Sequence, residues 1–248
     1  MNKNNRAFTL IELLVVVSIV AILVGILMPS LIHARFQAKV VACQVNLKAL
    51  GTATQLYAEE NREKIPRGPV LPAAQFAPYY SEPAAPTVGT NRIWIGRAGT
   101  PSYDGWGIIL EKYLTNKKAF FCPDDNSISW EGELGQVGKT GGDAHCSYMF
   151  RQLDCATNDL LGNLGDNDLG RPARALAMDA NVYLVPAFAQ NTRFNHKSHP
   201  VNLLFNDLRV ESLGDSRGNL SMTGVNPMDQ PGYQGKLDTL FQNADGEY

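Results

Sequence analysis

The 248-residue chain lacks the charge bias and the short signatures that mark nucleic-acid binding and several kinds of enzyme. Its 22 basic and 24 acidic residues give a formal net charge of −2, without the basic patch or stripe of a nucleic-acid-binding protein. The HExxH motif of zinc proteases and the glycine-rich loops that cradle phosphates are absent. The sequence therefore predicts neither nucleic-acid binding nor catalysis, and it favours a structural or binding role.

Cysteine is scarce, since the chain has only 4, and they are too widely spaced for a disulfide-dense scaffold. We interpret Cys43 as a small buried residue or a contact along a helix, the usual role of an unbridged cysteine. If the rest of the chain lies outside the cytoplasm, we expect one disulfide among Cys122, Cys146 and Cys155. The sequence does not choose between Cys146 and Cys155 as the partner of Cys122.

The chain does contain one long apolar run, from Phe8 to Met28, which follows a short basic leader. About 20 such residues are enough to cross a bilayer core as a helix. The run contains one acid, Glu12, and an acid in hydrocarbon costs on the order of 2.5–3.5 kcal/mol. We therefore predict a transmembrane helix over residues 8–28, in which Glu12 has a partner or lies near the membrane surface.

The sequence FTLIE from Phe8 to Glu12, followed by Pro29, resembles the N-terminus of type IV pilins and type II secretion pseudopilins. In that superfamily a prepilin peptidase cuts before the phenylalanine and methylates the new amine. An acid follows four residues after the phenylalanine, and a proline usually follows seventeen after the acid. Phe8, Glu12 and Pro29 match these spacings, whereas Ala7 stands where most members have glycine.

This resemblance implies a structural subunit that catalyses nothing and needs no cofactor. It implies removal of the leader, residues 1–7, by prepilin peptidase and methylation of Phe8. Glu12 would then pair with the Phe8 amine of a neighbouring subunit as pilin-like subunits assemble on inner-membrane machinery. The resemblance places the leader in the cytoplasm and the rest of the protein outside the inner membrane. Pseudopilus and pilus remain alternatives, because the two classes share this N-terminus.

A helical pattern resumes after Pro29 and predicts an amphipathic spine helix over residues 29–65, which ends before Pro66. Apolar or small residues recur at spacings of three and four and predict one buried stripe. The predicted stripe consists of Leu31, Ala34, Ala38, Val41, Val45, Ala49, Thr52 and Leu56.

Residues 66–248 are predicted to form a loop-rich head with a small antiparallel β-sheet, so the fold class is α+β and pilin-like. We expect a short helix over residues 106–114 and an irregular tail from Gly214 onward. Two apolar runs around Asn206-Asp207 predict a hairpin with a two-residue turn. The predicted strands are residues 91–96, 119–122, 147–150, 174–178, 201–205 and 208–213.

A second resemblance covers the head. Asn46-Leu47-Lys48-Ala49-Leu50-Gly51 and Phe120-Phe121-Cys122-Pro123 are similar to segments of prepilin-like proteins from planctomycete-type bacteria. That subgroup also carries a late histidine followed after nine residues by Asp-Gly. Here ten residues separate His196 from Asp207, and Leu208 replaces the glycine. The match to this subgroup is therefore incomplete.

Two groups of residues raise the question of a metal site. Asp166-Asn167-Asp168 alternates oxygen donors like the start of a calcium loop, but Ala177 stands where such a loop has its bidentate acid. We interpret these residues as a turn and keep calcium at Asp166 and Asp168 as the alternative. The histidines and the late acid are interpreted as hydrogen-bonding groups rather than as a zinc site: His145, His196, His199 and Asp207.

An alternative function is a membrane-anchored binding module or hydrolase, for example one directed at polysaccharide. Aromatic rings exposed together on one face would favour this alternative, whereas burial of the rings would favour the fibre subunit. The rings in question are Trp94, Tyr103, Trp106 and Trp130.

Overall fold

The computed structural model describes residues 10–68, 90–96, 101–125, 127–151, 159–167, 169–184, 195–196, 200–215, 217–225 and 230–246. The chain divides into two compact units, residues 1–39 and 40–248. The first unit contributes the N-terminal part of helix α1, which begins at Leu10 and ends at Glu60. The second unit contains the C-terminal part of α1 and the head. A long N-terminal helix followed by a head with an antiparallel sheet confirms the predicted α+β, pilin-like fold class.

The part of α1 in the first unit exposes its apolar side chains over nearly its whole length. Its two serines satisfy their hydroxyls within the helix, since Ser18 Oγ donates to Val15 O at 2.8 Å and Ser30 Oγ donates to Leu27 O at 2.9 Å. The helix continues through Pro29, although proline has no backbone N–H to donate. This part of the helix therefore needs no water for its serine hydroxyls.

The part of α1 in the second unit buries a different face from the predicted one. The side chains of Val41, Val45 and Leu56 are 53, 62 and 45% exposed, so the predicted stripe is wrong over this part of the helix. The observed buried face lies about one position away, which rotates the contact by about 100°. Its buried members are Val40, Cys43, Leu47, Leu50, Gly51, Ala53, Thr54 and Ala58.

The helix ends at Glu60, five residues short of the predicted end at Ile65. Arg62 and Glu63 have φ values of 58° and 64°, in the left-handed region that cannot continue a right-handed helix. Pro66 therefore does not set the end, because the chain has already left the helical conformation before it.

Eight strands and two further helices are seen in the described part of the head. They are β1 Thr90–Ile95, β2 Ser102–Tyr103, α2 Trp130–Leu134, β3 Ala144–Phe150, β4 Ala175–Asp179, β5 Val182–Leu184, β6 Val201–Phe205, β7 Val210–Leu213, β8 Met222–Val225 and α3 Gln230–Asp245. Six strands form one antiparallel sheet in the order β2-β1-β3-β4-β6-β7, and β5 pairs with β8 in parallel. The six-stranded antiparallel sheet agrees with the predicted antiparallel head, and the β5–β8 pair was not predicted.

Most predicted strands are confirmed, with three local differences. Residues 119–122 are not a strand, because Lys117–Phe120 is a 3₁₀ helix. The predicted helix 106–114 is observed only as the 3₁₀ helix Gly105–Ile109, which overlaps its first half. The segment after Gly214 contains β8 and the 16-residue helix α3, so the prediction of an irregular tail was wrong. Phe205 N–H donates to Arg209 O, so the loop inside this closing pair has three residues, 206–208, rather than two. It ends at Leu208, whose φ is 65°.

The sheet lies between α1 and α3, because alternate strand residues face two separate clusters. Leu204 of β6 belongs to the cluster on the α1 side, with Leu47 and Leu50. Leu203 belongs to the cluster on the α3 side, with Phe241. The period-two alternation of a strand therefore gives the sheet two buried faces, each covered by a helix.

A buried ion pair fixes α3 to the sheet. Asp245 accepts a two-pronged pair of hydrogen bonds from Arg151, at 3.0 Å to Nη1 and 2.8 Å to Nη2. The same carboxylate accepts bonds from the backbone N–H groups of Arg174 and Ala175 and from Asn167 Nδ2. Breaking such a pair costs about 3–5 kcal/mol, because the remaining charge stays buried.

Candidate functional site

The two predicted assembly residues both lie in α1, within its N-terminal part. Glu12 lies in the first turn of the helix, where a carboxylate interacts favourably with the positive end of the helix dipole. Pro29 lies inside the helix. Ala7 and Phe8, the predicted processing residues, lie outside the described residues.

Residues Leu10 to Met28 form an apolar surface that the described residues do not cover. The helix is long and apolar enough to cross a membrane, by length and composition, and none of its most apolar window is buried. A soluble protein rarely exposes so large a continuous apolar patch without a partner or a membrane. The surface is therefore suited to lipid, to other helices, or to both.

The disulfide differs from the predicted one. Cys122 is bridged to Cys43, with 5.4 Å between the Cα atoms, and not to Cys146 or Cys155. Cys146 keeps its thiol, which is buried and donates to Tyr148 O at 3.1 Å. Cys155 lies outside the described residues. The bridge joins α1 to the head because residue 43 falls on the buried face of the helix, which the sequence pattern had misplaced.

His196 lies against this bridge. Its Nε2 is 3.8 Å from Cys122 Sγ, and the imidazole is buried. Asn46 of α1 is close by, since its Nδ2 donates to Phe121 O at 3.0 Å. The structure thus brings together parts of the three segments on which the second resemblance rests, although sequence analysis gave them no common site.

Polar groups face both ring nitrogens of His196. Asn202 Oδ1 accepts a hydrogen bond from Ser212 Oγ, so Asn202 Nδ2 is the group that faces His196 Nε2, at 3.3 Å. In the tautomer in which Nε2 accepts from Asn202, the ring proton is on Nδ1. Nδ1 lies 3.6 Å from Asp124 Oδ2, a carboxylate that suits an N–H group.

Asp179 is the second titratable group of this cluster. It is fully buried, and its Oδ2 lies 3.5 Å from His196 Nε2. Burial raises the pKa of Asp179, although the His196 imidazole and hydrogen bonds from Asn195 and Asn202 offset part of the effect. Its Oδ1 accepts from Asn195 Nδ2 at 3.0 Å and its Oδ2 from the Asn202 backbone N–H at 2.7 Å.

The other residues of the predicted hydrogen-bonding set lie elsewhere. His145 Nδ1 is 3.7 Å from Glu133 Oε2, at one end of β3. Asp207 lies in the exposed hairpin loop, where it accepts a hydrogen bond from the Arg209 backbone N–H at 3.0 Å. His199 lies outside the described residues. The contact of Asp207 agrees with a hydrogen-bonding role, whereas at His145 it is the backbone N–H that donates to Glu133 Oε2.

The Asp166 loop forms a turn around Asn167. The side-chain oxygen of Asn167 accepts from the backbone N–H groups of Leu169 and Arg171 at 3.0 and 3.1 Å. Asp168 lies outside the described residues, so calcium at Asp166 and Asp168 stays a prediction. The turn itself is explained by the asparagine, whose side chain commonly supports such loops.

The aromatic rings do not share an exposed face. Trp94 and Trp106 are buried, and Trp106 stacks on Phe150 with 4.6 Å between ring centroids. Tyr103 contacts Trp94 edge to face, and Trp130 is half-buried under Lys118 Nζ. Core packing therefore accounts for most of this aromatic surface.

One short motif was missed by sequence analysis. Gly214-Asp215-Ser216-Arg217-Gly218 has the GxSxG spacing of many serine hydrolases. That motif acts at a strand-to-helix turn, whereas here the described residues after it form turns and then β8. Asp215 is buried and accepts from the Leu220 backbone N–H and from Ser221 Oγ, which gives the segment a structural role.

Comparison with known proteins bears on the N-terminal helix. The family model for the prokaryotic N-terminal methylation motif matches residues 2–28. The chain carries a pilin-like N-terminus. Over 59 residues it is 44% identical to the type IV major pilin protein PilA of Myxococcus xanthus (strain DK1622), covering 24% of this chain and 27% of that protein. The chain thus matches about a quarter of the length of that relative, and no solved structure matches it.

These matches confirm the resemblance drawn from Phe8, Glu12 and Pro29. Together with the apolar helix from Leu10 onward, they agree with a membrane-anchored, pilin-like protein.

Proposed function

We propose that the chain is a prepilin-like structural subunit that is assembled into a type IV pilus-like fibre or a type II secretion pseudopilus. The observation that carries the proposal is the methylation motif at residues 2–28, which continues into a helix with an exposed apolar surface. A lipid bilayer covers that surface before assembly, and the same helices of other subunits cover it in the fibre.

Processing creates the polar partner that Glu12 needs. Prepilin peptidase would remove residues 1–7 and leave a methylated amine on Phe8. This amine carries a positive charge, and Glu12 of a neighbouring subunit would neutralise it in a poorly solvated place. The protein has a mechanical rather than catalytic role in this proposal. Burial of Trp94 and Trp106 supports it over the polysaccharide-directed module or hydrolase.

The first experiment is mass spectrometry and N-terminal sequencing of the mature protein from its native membrane. We expect a chain that starts with methyl-Phe8. A mature chain that keeps residues 1–7 would contradict processing. Co-purification with a secretin-linked export machine would assign the fibre to secretion, and recovery from sheared surface fibres would assign it to a pilus.

The second experiment replaces Glu12 with Leu and measures fibre yield by electron microscopy. We expect fibres to be lost while the head keeps its unfolding midpoint. E59Q is the control, because Glu59 is an exposed acid near the other end of the same helix. Normal fibres from E12L would overturn the assembly role of Glu12.

A further inference from the structure

The cluster beside the disulfide contains the donor atoms of a tetrahedral metal site. Cys43 Sγ, Cys122 Sγ and one ring nitrogen of His196 all lie within 4.8 Å of one another, and all three residues are buried. Thiolate and imidazole are the ligands that Zn²⁺ and related thiophilic ions prefer. The fully buried carboxylate of Asp179 lies next to the same ring nitrogen.

Two of the donor–donor distances are close to those around a tetrahedral ion. With Zn–S near 2.3 Å and Zn–N near 2.0 Å, a sulfur and a nitrogen on one tetrahedral ion lie about 3.5 Å apart. Cys122 Sγ and His196 Nε2 are 3.8 Å apart, and Asp179 Oδ2 is 3.5 Å from Nε2. The S–S bond must open for an ion to enter. Asp179 is outside the three-residue group whose donor atoms all lie within 4.8 Å of one another, so its carboxylate must move toward the sulfurs to complete the donor set.

The surroundings of His196 also suit a metal ligand. Nε2 lies 3.8 Å from Cys122 Sγ and 3.5 Å from Asp179 Oδ2, and an ion bound there replaces the contact with Asn202 Nδ2. Nδ1 lies 3.6 Å from Asp124 Oδ2, so a small approach makes a hydrogen bond from an Nδ1–H group. A histidine that binds metal through one nitrogen usually donates the other N–H to a carboxylate, which fixes the ring and raises its basicity.

We propose that the dithiol form of the protein binds one thiophilic divalent ion of the Zn²⁺ type through Cys43, Cys122, His196 and Asp179. Binding replaces two thiol protons with the metal and involves no electron transfer, so the reaction is M²⁺ + 2 RSH → M(SR)₂ + 2 H⁺. Formation of the Cys43–Cys122 bridge removes two electrons and two protons and needs a disulfide or quinone oxidant. Metal and bridge therefore exclude each other.

This site shares only His196 with the predicted histidine set and no residue with the Asp166 loop. It gives the junction between α1 and the head two alternative cross-links, a metal before oxidation and a disulfide after it. Since Cys43 lies on α1 and the other three ligands lie in the head, either cross-link holds the same elements together.

The test uses the full chain in detergent micelles, reduced with a phosphine, freed of reductant and kept without oxygen. The probe is Co²⁺, which gives thiolate-to-metal charge-transfer bands and the ligand-field bands of a tetrahedral ion. We expect about one Co²⁺ per chain, displacement by Zn²⁺, and release of about two protons. The bridged form should show neither set of bands.

Variants separate the ligands from their surroundings. C43S and C122S should lose the charge-transfer bands, and H196N and D179N should change the ligand-field bands. D124N should weaken Co²⁺ binding about 10–100-fold, as loss of an orienting carboxylate does. C146S and H145N are the matched controls and should bind like the wild type, since neither side chain is in the donor set.

Circular dichroism before titration shows which variants are folded, and H196N carries the test if a cysteine variant is not. Absence of thiolate-to-cobalt bands in the reduced wild type would overturn the proposal. Equal binding by H196N and the wild type, or unchanged bands in the bridged form, would overturn it as well. None of these outcomes bears on processing at Phe8.

Discussion

The two parts of α1 belong to one continuous helix and have opposite surroundings. Between Leu10 and Lys39 the helix buries none of its side chains among the described residues. From Val40 to Glu60 it contributes a face of buried residues to the core of the head. Leu23 is 54% exposed, whereas Leu50 is completely buried. The first part therefore presents a surface that the described residues do not cover, and the second part is a core element of the head.

Because of this difference, substitutions in the two parts of the helix should change different properties of the protein. A change in the second part should act on the free energy of unfolding of the head, which can be measured with the isolated chain. A change in the first part should leave that free energy alone and act on insertion or assembly. Removal of the bridge that joins Cys43 to the head should give the largest change in unfolding free energy.

Replacing Cys43 with Ser should have the largest effect on the second part. The bridge closes a loop of 79 residues, which limits the unfolded chain and contributes about 4.5 kcal/mol in the chain-entropy description. Under oxidising conditions we expect the unfolding free energy of C43S to be about 2–5 kcal/mol below that of the bridged wild type, as measured by urea unfolding in micelles. C146S is the control, with an expected loss below about 1 kcal/mol. Equal losses in the two variants would contradict a role for the bridge.

Leu50→Ala and Leu23→Ala form the next pair, with the same chemistry in the two parts of the helix. Leu50→Ala leaves a cavity against the sheet and should cost about 2–5 kcal/mol of unfolding free energy. Leu23→Ala should change it by less than about 0.5 kcal/mol. Thermal unfolding in the same detergent compares the two. A similar loss from both would show that the exposed part is also coupled to the core.

The two glycines of α1 give a smaller contrast. A Cβ on Gly51 would lie 2.9 Å from Leu204 Cδ1, whereas a Cβ on Gly25 would meet nothing within 4 Å. Gly51→Ala gains about 1 kcal/mol of helix propensity but overpacks a buried leucine at a cost of about 1–3 kcal/mol. We expect a net loss of about 1 kcal/mol for G51A and no loss for G25A in urea unfolding. A G51A chain more stable than the wild type would show that Leu204 repacks freely.

The smallest effect concerns the segment after the helix, where Lys64 Nζ lies 3.0 Å from Asp159 Oδ2. Burial raises the pKa of Asp159, but Lys64 and Arg67 outweigh it, so the pKa lies below its ordinary value. The folded protein then holds the ionised form more tightly than the unfolded chain does. This stabilisation is present above about pH 4 and is lost as the pH falls through the lowered pKa.

D159N should therefore cost about 0.5–1 kcal/mol at pH 7 and nothing at a pH below the folded pKa, as measured by urea unfolding across that range. In a K64Q background the cost at pH 7 should shrink. A pH-independent cost would assign the effect to packing instead of charge.

The sequence predicted the first part of the helix well and the second part poorly. A long apolar run predicts a helix without any choice of buried face. The spacing of Phe8, Glu12 and Pro29 was enough to indicate the pilin-like N-terminus. Beyond Pro29 the choice of face depended on small residues such as Ala49 and Thr52, which fit either side of a helix. The buried Thr54 shows why, since its hydroxyl accepts a hydrogen bond from Trp106 Nε1, far away in the sequence.

The cluster around His196 was beyond sequence analysis for a related reason. Its members come from α1, the segment before α2, β4 and the residues before β6, and only the order of strands in the sheet brings them together. The misplaced helix face also hid Cys43 as the partner of Cys122. The sequence did show that Leu208 replaces the glycine of the subgroup's Asp-Gly pair. The left-handed backbone of Leu208 explains why glycine is favoured at this position.

The ion pair between Arg151 and Asp245 has a consequence for the order of events during synthesis. The two residues are 94 positions apart, so the ribosome makes Arg151 well before its carboxylate partner exists. Until then the centre of the sheet holds a cation with no counterion from α3, and closing the core over it is unfavourable. The apolar helix that begins at Leu10, by contrast, is complete early in synthesis. The order of synthesis thus completes this helix first and the buried ion pair of the head only after Asp245 has emerged.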